Sequence, residues 1–337
     1  MKVTFFDTKP YDKLYFEPLL NENGIEVKFS EYKLSPDTAH IARGSNAVCI
    51  FVNDDAGAET IDTLEKIGVK LIALRCAGYN NVDFSAAEGR IRVVRVPAYS
   101  PSAVAEYAAG LMLAANRKIP RAYARVRTGN FNINGFLGFD LEGRTAGVIG
   151  TGKIGKKFIS ICKGFGMKVI AYDAYPDKSL DVEYLPLEEL ERRADVISLH
   201  CPLTDETRHM INADAIDRMK EGVIIINTSR GALIDTSALL DGLKSRRIGG
   251  AGLDVYEEEE HYFFEDLSNE VITDDELLQL LSIPNVILSS HQAFFTEDAL
   301  RAIAETTVGN LLAFRHGDEL RNEVRFECDK ASSLTVK

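Results

Sequence analysis

The sequence predicts an α/β protein built from two Rossmann-like, doubly wound parallel-sheet domains with a cleft between them. Three observations support this fold class. Short β-branched runs alternate with amphipathic segments almost throughout the chain. Several of these runs are nearly continuously apolar, as is typical of parallel strands buried on both faces. The 337 residues are too many for one ordinary core and suit two domains of medium size.

Ten segments are predicted to be strands because they are short and rich in β-branched residues. In chain order they are VTFFD, AVCIFV, KLIALRCA, IRVVRVP, TAGVIG, KVIAYD, VISLHCP, GVIIINTS, IGGAGLDV and NVILSSH. The clearest predicted helix begins with Ser100 as N-cap and Pro101 in its first turn. Its small residues suit close packing, either on another helix or within one subunit. One α/β unit lies before about residue 100 and one after it, and a final predicted helix, residues 296–315, fits either unit.

The composition excludes several classes of protein. The net charge of −12 argues against nonspecific nucleic-acid binding, which requires a basic surface. No apolar run approaches the roughly 20 residues of a membrane-spanning helix, and charge and proline interrupt the first residues too early for a signal peptide. The cysteines lack metal-binding spacing, so we expect reduced thiols, no metal and a cytoplasmic protein. They are Cys49, Cys76, Cys162, Cys201 and Cys328.

The segment GVIGTGKIG, residues 147–155, has the sequence context of a dinucleotide-binding loop. A predicted strand precedes it, a predicted helix follows it, and the next strand ends in Asp173, 18 residues after Gly155. In such loops the glycines allow a tight turn and close approach of a pyrophosphate, which the N–H groups at the helix start bind. A carboxylate at the next strand end accepts a hydrogen bond from a ribose 2′-hydroxyl and repels a 2′-phosphate, so NAD is predicted rather than NADP. The predicted cofactor-binding residues here are Gly150, Gly152, Lys153, Ile154, Gly155 and Asp173.

Three later predicted strands end in residues that can bind an anion or transfer a proton. These are Arg230, Asp254 with the glutamate run 257–260, and His291. Ligands of open α/β sheets bind at the carboxyl ends of the strands, so a cation, a carboxylate and an imidazole there suggest an acid–base site. Each residue alone also fits a structural interpretation: a surface arginine, a solvated glutamate loop, a structural histidine. Their joint placement favours a functional site, although chemistry alone leaves open which glutamate pairs with the histidine.

Long motifs in the same order over nearly the whole chain resemble the D-specific 2-hydroxyacid dehydrogenases. They are ALRCAGYNNVD, VRVPAYSPSAVAEYA, GVIGTGKIG, VISLHCPLT, NTSRGALID, GLDVYEEE and HQAFFTEDAL. The segment EEHYFFEDLSNEVITDDEL further resembles the fermentative D-lactate dehydrogenase branch more than the phosphoglycerate, glycerate or formate branches. The resemblance implies reversible hydride transfer from NADH to pyruvate, giving D-lactate. We also expect a homodimer or homotetramer.

The resemblance implies roles for three residues in the chemistry. Arg230 matches the arginine that binds the substrate carboxylate and polarises its carbonyl, a task that suits a bidentate guanidinium. His291 matches the histidine that protonates the keto oxygen in reduction and removes the proton in the reverse direction. Only the family spacing, five residues after Asp254, selects Glu259 as the partner of this histidine.

The resemblance also implies binding residues and domain boundaries. The loop at Ala77 and Gly78 matches one whose N–H groups bind the substrate carboxylate, with Tyr99 nearby, and Phe294 matches a bulky residue over the substrate side chain. Residues 1–100 plus 298–337 would form the substrate domain and residues 101–297 the NAD-binding domain. Two positions depart mildly from the family pattern, Gln292 after His291 and Thr207 where asparagine is frequent. The residues that match the cofactor pocket are Cys201, Pro202, Thr207, Thr228, Ser229 and Asp254.

Two other functions fit the same motifs. One is a dehydrogenase for a larger 2-keto acid, such as 2-ketoisocaproate or phenylpyruvate. The other is an NAD-sensing transcriptional corepressor that binds short peptides. The arginine, glutamate and histidine fit a metabolic enzyme and a corepressor equally. The segment after Glu260 and the lack of a long disordered tail favour the enzyme.

Overall fold

The computed structural model describes residues 1–324, which divide into two compact units. The first unit contains residues 1–100 and the described residues from Thr296 onward, and the second is Pro101–Phe295. Residues 325–337, which the sequence analysis assigns to the substrate domain, lie outside the described residues, and Cys328 lies among them. Among residues 1–324, Cys49, Cys76, Cys162 and Cys201 are thiols that form no disulfide.

The first unit contains a parallel sheet of five strands in the order β2-β1-β3-β4-β5. The strands β3 and β4 are buried at every position, as their continuous apolar runs predict. The edge strand β2 was not predicted, because its sequence EVKF alternates charged and apolar residues and lacks an apolar run. The strands are β1 (Lys2–Phe5), β2 (Glu26–Phe29), β3 (Ala47–Ile50), β4 (Leu71–Leu74) and β5 (Arg92–Val94), and the helices are α1 (Pro10–Glu22), α2 (Ala58–Lys66) and α3 (Phe84–Ala87).

The second unit contains a parallel sheet of seven strands in the order β12-β11-β10-β9-β6-β7-β8. The strand order reverses between β6 and β9, and ligands of such sheets bind at the carboxyl ends of the strands beside this reversal. The strands are β6 (Thr145–Ile149), β7 (Lys168–Tyr172), β8 (Glu183–Tyr184), β9 (Val196–Leu199), β10 (Val223–Asn227), β11 (Ile248–Leu253) and β12 (Val286–Leu288). The helices are α4 (Pro101–Arg117), α5 (Ile119–Arg127), α6 (Lys153–Gly164), α7 (Leu187–Arg193), α8 (Ala213–Arg218), α9 (Thr236–Lys244) and α10 (Asp275–Ser282).

The final helix, α11 (Glu297–His316), packs in the first unit against α1 and β4. It begins at Thr296, whose hydroxyl accepts a hydrogen bond from the N–H of Ala299, and it ends at Gly317 in the left-handed conformation. The sequence pattern alone left the unit of this helix open, whereas the family resemblance implied the substrate domain; the helix packs within the first unit.

The predicted fold class of two parallel-sheet α/β domains is confirmed. Each of the ten predicted strands overlaps one strand of the structure, and β2 and the two-residue β8 are additional. Within residues 1–324, no helix combines the length and apolar character needed to cross a membrane.

Candidate active site

The glycine loop joins β6 to α6. Gly150 has a φ of +94°, and a Cβ there would lie 2.5 Å from the backbone nitrogen of Cys201. A Cβ at Gly155 would lie 2.0 Å from the carbonyl oxygen of Gly150, so α6 can approach the loop only without a side chain. At Gly152 a Cβ would meet nothing within 4 Å. The first and third glycines are therefore required by the fold of the loop, while the second leaves open surface for a phosphate at the start of α6.

The carboxylate of Asp173, at the end of β7, is bound to this loop. Its Oδ2 accepts hydrogen bonds from the backbone nitrogen of Thr151 at 2.6 Å and from its hydroxyl at 2.9 Å. Its Oδ1 accepts one from the backbone nitrogen of Tyr175 at 2.8 Å. Thr151 was not identified from the sequence as a site residue, although it stands between the motif glycines Gly150 and Gly152. The loop and the acid therefore form one hydrogen-bonded assembly.

Side chains that were predicted to line the cofactor make hydrogen bonds at the ends of β9 and β10. The hydroxyl of Ser229 donates to the carbonyl of Cys201 at 2.6 Å, and the hydroxyl of Thr207 donates to the carbonyl of Pro202 at 2.8 Å. Burial raises the pKa of the Cys201 thiol to about 12, so this group is neutral. The hydroxyl of Thr228 is buried and has no hydrogen-bond partner among residues 1–324. A buried hydroxyl of this kind on the ligand-binding edge, together with the open surface at Gly152, fits a bound dinucleotide.

The ends of β10, β11 and β12 are connected through their backbones. The N–H of Asp254 donates to the carbonyl of Asn227 at 2.9 Å, and the N–H of His291 donates to the carbonyl of Asp254 at 2.7 Å. These three strands are neighbours in the sheet. The structure therefore brings the residues that follow them to one edge, as their placement in the sequence predicts.

The side chain of Asp254 is fully buried and holds the turn that carries His291. Its carboxylate accepts hydrogen bonds from the hydroxyl of Ser289 at 2.7 Å and from the backbone nitrogens of Gln292 at 2.9 Å and Ala293 at 2.7 Å. Burial raises the pKa of Asp254, and these hydrogen bonds oppose that rise. The contacts of this carboxylate fix the backbone on both sides of the histidine.

His291 is paired with Glu259. The distance between His291 Nδ1 and Glu259 Oε1 is 2.7 Å, and both side chains are largely buried. The other carboxylate oxygen of Glu259 accepts a hydrogen bond from the backbone nitrogen of Tyr256 at 3.0 Å. The carboxylate therefore engages Nδ1 of the ring and leaves Nε2 as the second ring nitrogen available for chemistry.

Another glutamate of the run also contacts a histidine, and residue chemistry alone did not distinguish this pair from Glu259 and His291. Glu257 lies 2.6 Å from Nε2 of His209 and 3.1 Å from Arg208. A third histidine, His200, is buried, and burial lowers its pKa to about 3. Its imidazole is therefore neutral and hydrogen-bonded to the hydroxyl of Ser198 at 2.9 Å, as a structural histidine would be.

Two backbone features near His291 were not predicted. His291 and Phe264 have φ values of +51° and +68°, which residues with side chains rarely adopt. The ring of Phe264 lies 6.1 Å from the imidazole ring between centroids. Such local strain persists where surrounding structure imposes it, and the sequence pattern contains no signal for it.

Arg230 follows β10 on a segment that lies tightly against the start of the glutamate run. A Cβ at the next residue, Gly231, would lie 2.1 Å from the carbonyl carbon of Tyr256, so only glycine allows this approach. The carbonyl of Arg230 accepts a hydrogen bond from the Asn227 side chain at 2.8 Å. Its guanidinium donates to the carbonyl of Ser229 at 2.7 Å, which uses one of the five N–H donors of an arginine.

Two of the predicted residues of the first unit, Ala77 and Gly78, lie in the loop after β4. The carbonyl of Ala77 accepts a hydrogen bond from the side chain of Arg95 at 2.9 Å, and the carbonyl of Gly78 accepts one from the thiol of Cys76 at 3.3 Å. Tyr99 lies close to the end of this unit, one residue before its boundary. In the second unit, Phe294 is buried and packs edge-on against Phe295 with a centroid distance of 6.0 Å.

The packing of the third motif glycine yields a testable prediction. Gly155→Ala should destabilise the second unit by about 1–3 kcal/mol and weaken NADH binding, because the added methyl group would strike a backbone oxygen. Gly164→Ala, near the end of the same helix with nothing within 4 Å of its Cβ, is the matched control and should stabilise by about 0.4–1 kcal/mol. Thermal unfolding and calorimetric titration with NADH measure both effects. Equal behaviour of the two variants would contradict the packing argument.

Comparisons with known proteins agree with this geometry. A family model described as "D-isomer specific 2-hydroxyacid dehydrogenase, NAD binding domain" matches residues 109–293. The D-lactate dehydrogenase of Escherichia coli (strain K12) is 51% identical over 328 residues, which are 96% of this chain and 100% of the relative. The apo-structure of D-lactate dehydrogenase from Escherichia coli superimposes with a TM-score of 0.88 at 48% identity and covers 96% of this chain and 100% of its own.

A structure of D-2-hydroxyisocaproate dehydrogenase is more distant in sequence. It has a TM-score of 0.85 at 35% identity and covers 96% of this chain and 99% of its own. The identity and coverage exceed what similarity of fold alone would require. The chain belongs to the D-isomer-specific 2-hydroxyacid dehydrogenase family, and its second unit contains the NAD-binding domain of that family.

Proposed function

We propose that this chain is a D-lactate dehydrogenase that reduces pyruvate reversibly to D-lactate. The observation that carries the proposal is the pair of His291 and Glu259, 2.7 Å apart on the same sheet edge as Arg230 and the glycine loop. The relative named D-lactate dehydrogenase, at 51% identity, supports pyruvate as the substrate, whereas the D-2-hydroxyisocaproate dehydrogenase structure is 35% identical.

Each residue of the set has a task in this reaction. When bound, NADH supplies the hydride that reduces the carbonyl carbon of the substrate. His291 gives the proton at Nε2 to the keto oxygen, and in lactate oxidation the same atom removes it. Glu259 holds the imidazolium by its Nδ1. Arg230 binds the substrate carboxylate and polarises the carbonyl through further N–H donors of its guanidinium.

The rest of the predicted set completes the proposal. We assign the residues 1–100 plus 298–337 to substrate binding and residues 101–297 to NAD binding. The N–H groups of Ala77 and Gly78 bind the substrate carboxylate with Tyr99 nearby, and Phe294 lies beside the substrate methyl group. The cofactor contacts are Gly150, Gly152, Lys153, Ile154, Gly155, Asp173, Cys201, Pro202, Thr207, Thr228, Ser229 and Asp254.

The keto-acid preference tests the proposed function. Because hydrophobic pockets discriminate by about 10-fold or more per misplaced methylene, kcat/KM should be at least about tenfold higher for pyruvate than for 2-ketoisocaproate or phenylpyruvate. Steady-state NADH oxidation measures the three rates, and chiral analysis should find D-lactate. A preference for a larger keto acid would favour the broader D-2-hydroxyacid dehydrogenase. Tight NADH binding without turnover of any keto acid would favour a corepressor.

The pairing of His291 and Glu259 predicts a loss of activity when the contact is removed. In Glu259→Gln the imidazole loses its anionic partner, 2.7 Å away, so kcat/KM for pyruvate reduction at neutral pH should fall by about 10²-fold, the lower end of general-acid contributions. Glu260→Gln removes an exposed glutamate of the same run and should leave kcat/KM unchanged. Steady-state NADH oxidation measures both variants, and an unchanged kcat/KM in Glu259→Gln would disprove the assigned role.

We also propose that the protein is cytoplasmic and assembles as a homodimer or homotetramer. An apolar segment after α5 supports the assembly, because Phe131, Ile133 and Leu137 are 77%, 82% and 89% exposed. Exposed apolar clusters of this kind mark protein–protein interfaces.

The exposed segment gives a direct test of assembly. Ile133→Asp combined with Leu137→Asp should shift the protein to monomers, because charge at a buried interface is strongly unfavourable. Leu14→Asp, which changes a 70% exposed leucine of the first unit, is the control and should leave the assembly intact. Light scattering after size-exclusion chromatography measures the mass. A parent protein that is already monomeric would contradict the proposal.

A further inference from the structure

A chain of three hydrogen bonds ends on the carboxylate of Asp173. The backbone N–H of Asp177 donates to the hydroxyl of Tyr184 at 3.1 Å, and this hydroxyl donates to that of Thr151 at 3.0 Å. The hydroxyl of Thr151 in turn donates to Oδ2 of Asp173 at 2.9 Å. All three bonds run in the same direction, from an amide through two hydroxyls to an anion.

The direction of the chain depends on Tyr184. A threonine hydroxyl has one proton, so when it accepts a hydrogen bond from Tyr184 its own proton is free to point at Asp173. Thr151 is only 3% exposed, which limits the competition from water for this hydroxyl. Hydrogen bonds arranged in series polarise one another, which strengthens the last bond to the carboxylate.

The strand β8 brings Tyr184 to this position. This two-residue edge strand pairs with β7, with Tyr184 opposite Ala171, two residues before Asp173. Asp177, whose N–H begins the chain, is anchored by an ion pair with Lys156 of α6. This ion pair and other hydrogen bonds hold the pKa of Asp177 well below its usual range, so the carboxylate remains charged and the anchor persists at neutral pH.

The contacts of Asp173 determine what its carboxylate can still accept. Oδ2 receives two hydrogen bonds from Thr151, and Oδ1 receives one from the N–H of Tyr175. Since each carboxylate oxygen accepts about two hydrogen bonds, the contacts within residues 1–324 leave one acceptor position on Oδ1. One position suits a ribose hydroxyl, and the fixed negative charge opposes a 2′-phosphate.

We propose that Thr151 and Tyr184 are positioning residues that fix Asp173 and so set the preference of this site for a dinucleotide with an unphosphorylated ribose. The inference rests on the proposed role of Asp173 as the ribose acceptor. It assigns a specificity function to β8, an element that lies outside the glycine motif and the acid.

Calorimetric titration of NADH and NADPH into the full chain tests the proposal in Tyr184→Phe, Thr151→Val and the double variant. Each single change should weaken NADH binding by about two- to tenfold, the value of one ordinary hydrogen bond, while NADPH binding weakens less. The ratio of the two dissociation constants therefore falls. If the residues act in series, the double variant should bind NADH as Thr151→Val does. Tyr32→Phe, an exposed tyrosine of the first unit, should change nothing.

The variant Asp173→Ala distinguishes two failures: Thr151 and Tyr184 do not position Asp173, or Asp173 does not bind the ribose. If Asp173→Ala loses NADH affinity and selectivity but Tyr184→Phe weakens both dinucleotides equally, Tyr184 only supports packing and the inference is wrong. Independent, additive effects of Tyr184 and Thr151 would also overturn it. If Asp173→Ala keeps the parent affinity and selectivity, the ribose role itself fails, and the inference fails with it.

Discussion

The buried carboxylate of Asp254 is the constraint on which the geometry of the site depends. It accepts three hydrogen bonds from the turn that carries His291, while its backbone joins the ends of β10 and β12. Burying a carboxylate is costly unless its hydrogen bonds are satisfied. Here the satisfied bonds fix a histidine in a left-handed backbone conformation that it would not adopt on its own.

Two carboxylates near the same histidine thus have different tasks because their environments differ. Asp254 is fully buried, and its hydrogen bonds go to one hydroxyl and two backbone N–H groups, so it organises the backbone. Glu259 keeps partial exposure, and its Oε1 lies 2.7 Å from Nδ1 of the imidazole, so it holds the ring itself rather than the backbone. The separation resembles a general pattern in which paired acidic groups acquire distinct functions from their surroundings.

The parts that could be predicted from sequence are those that depend on local pattern. Buried parallel strands are continuous apolar runs, and the glycine loop with Asp173 is a motif of fixed spacing. The polar edge strands β2 and β8 contain no such run and were missed. The contact of Glu259 with His291 depends on the conformation of two loops 32 residues apart, which periodicity does not describe. The chain of hydrogen bonds from the N–H of Asp177 to the carboxylate of Asp173 likewise forms only when β8 pairs with β7.

In the first unit, the loop at Ala77 and Gly78, which we propose to bind the substrate, also depends on tertiary contacts. The loop at Ala77 follows Arg75, whose guanidinium is 2% exposed, lies 3.3 Å from the carboxylate of Asp12 and donates to the carbonyl of Asp7 at 2.7 Å. A buried ion pair of this kind is weak evidence for stability, since apolar residues of similar volume often serve as well. It does provide directional bonds between the ends of β1 and β4, and apolar packing cannot supply those. The buried charge therefore ties the ends of β1 and β4 together directly before the loop whose backbone N–H groups we propose to bind the substrate.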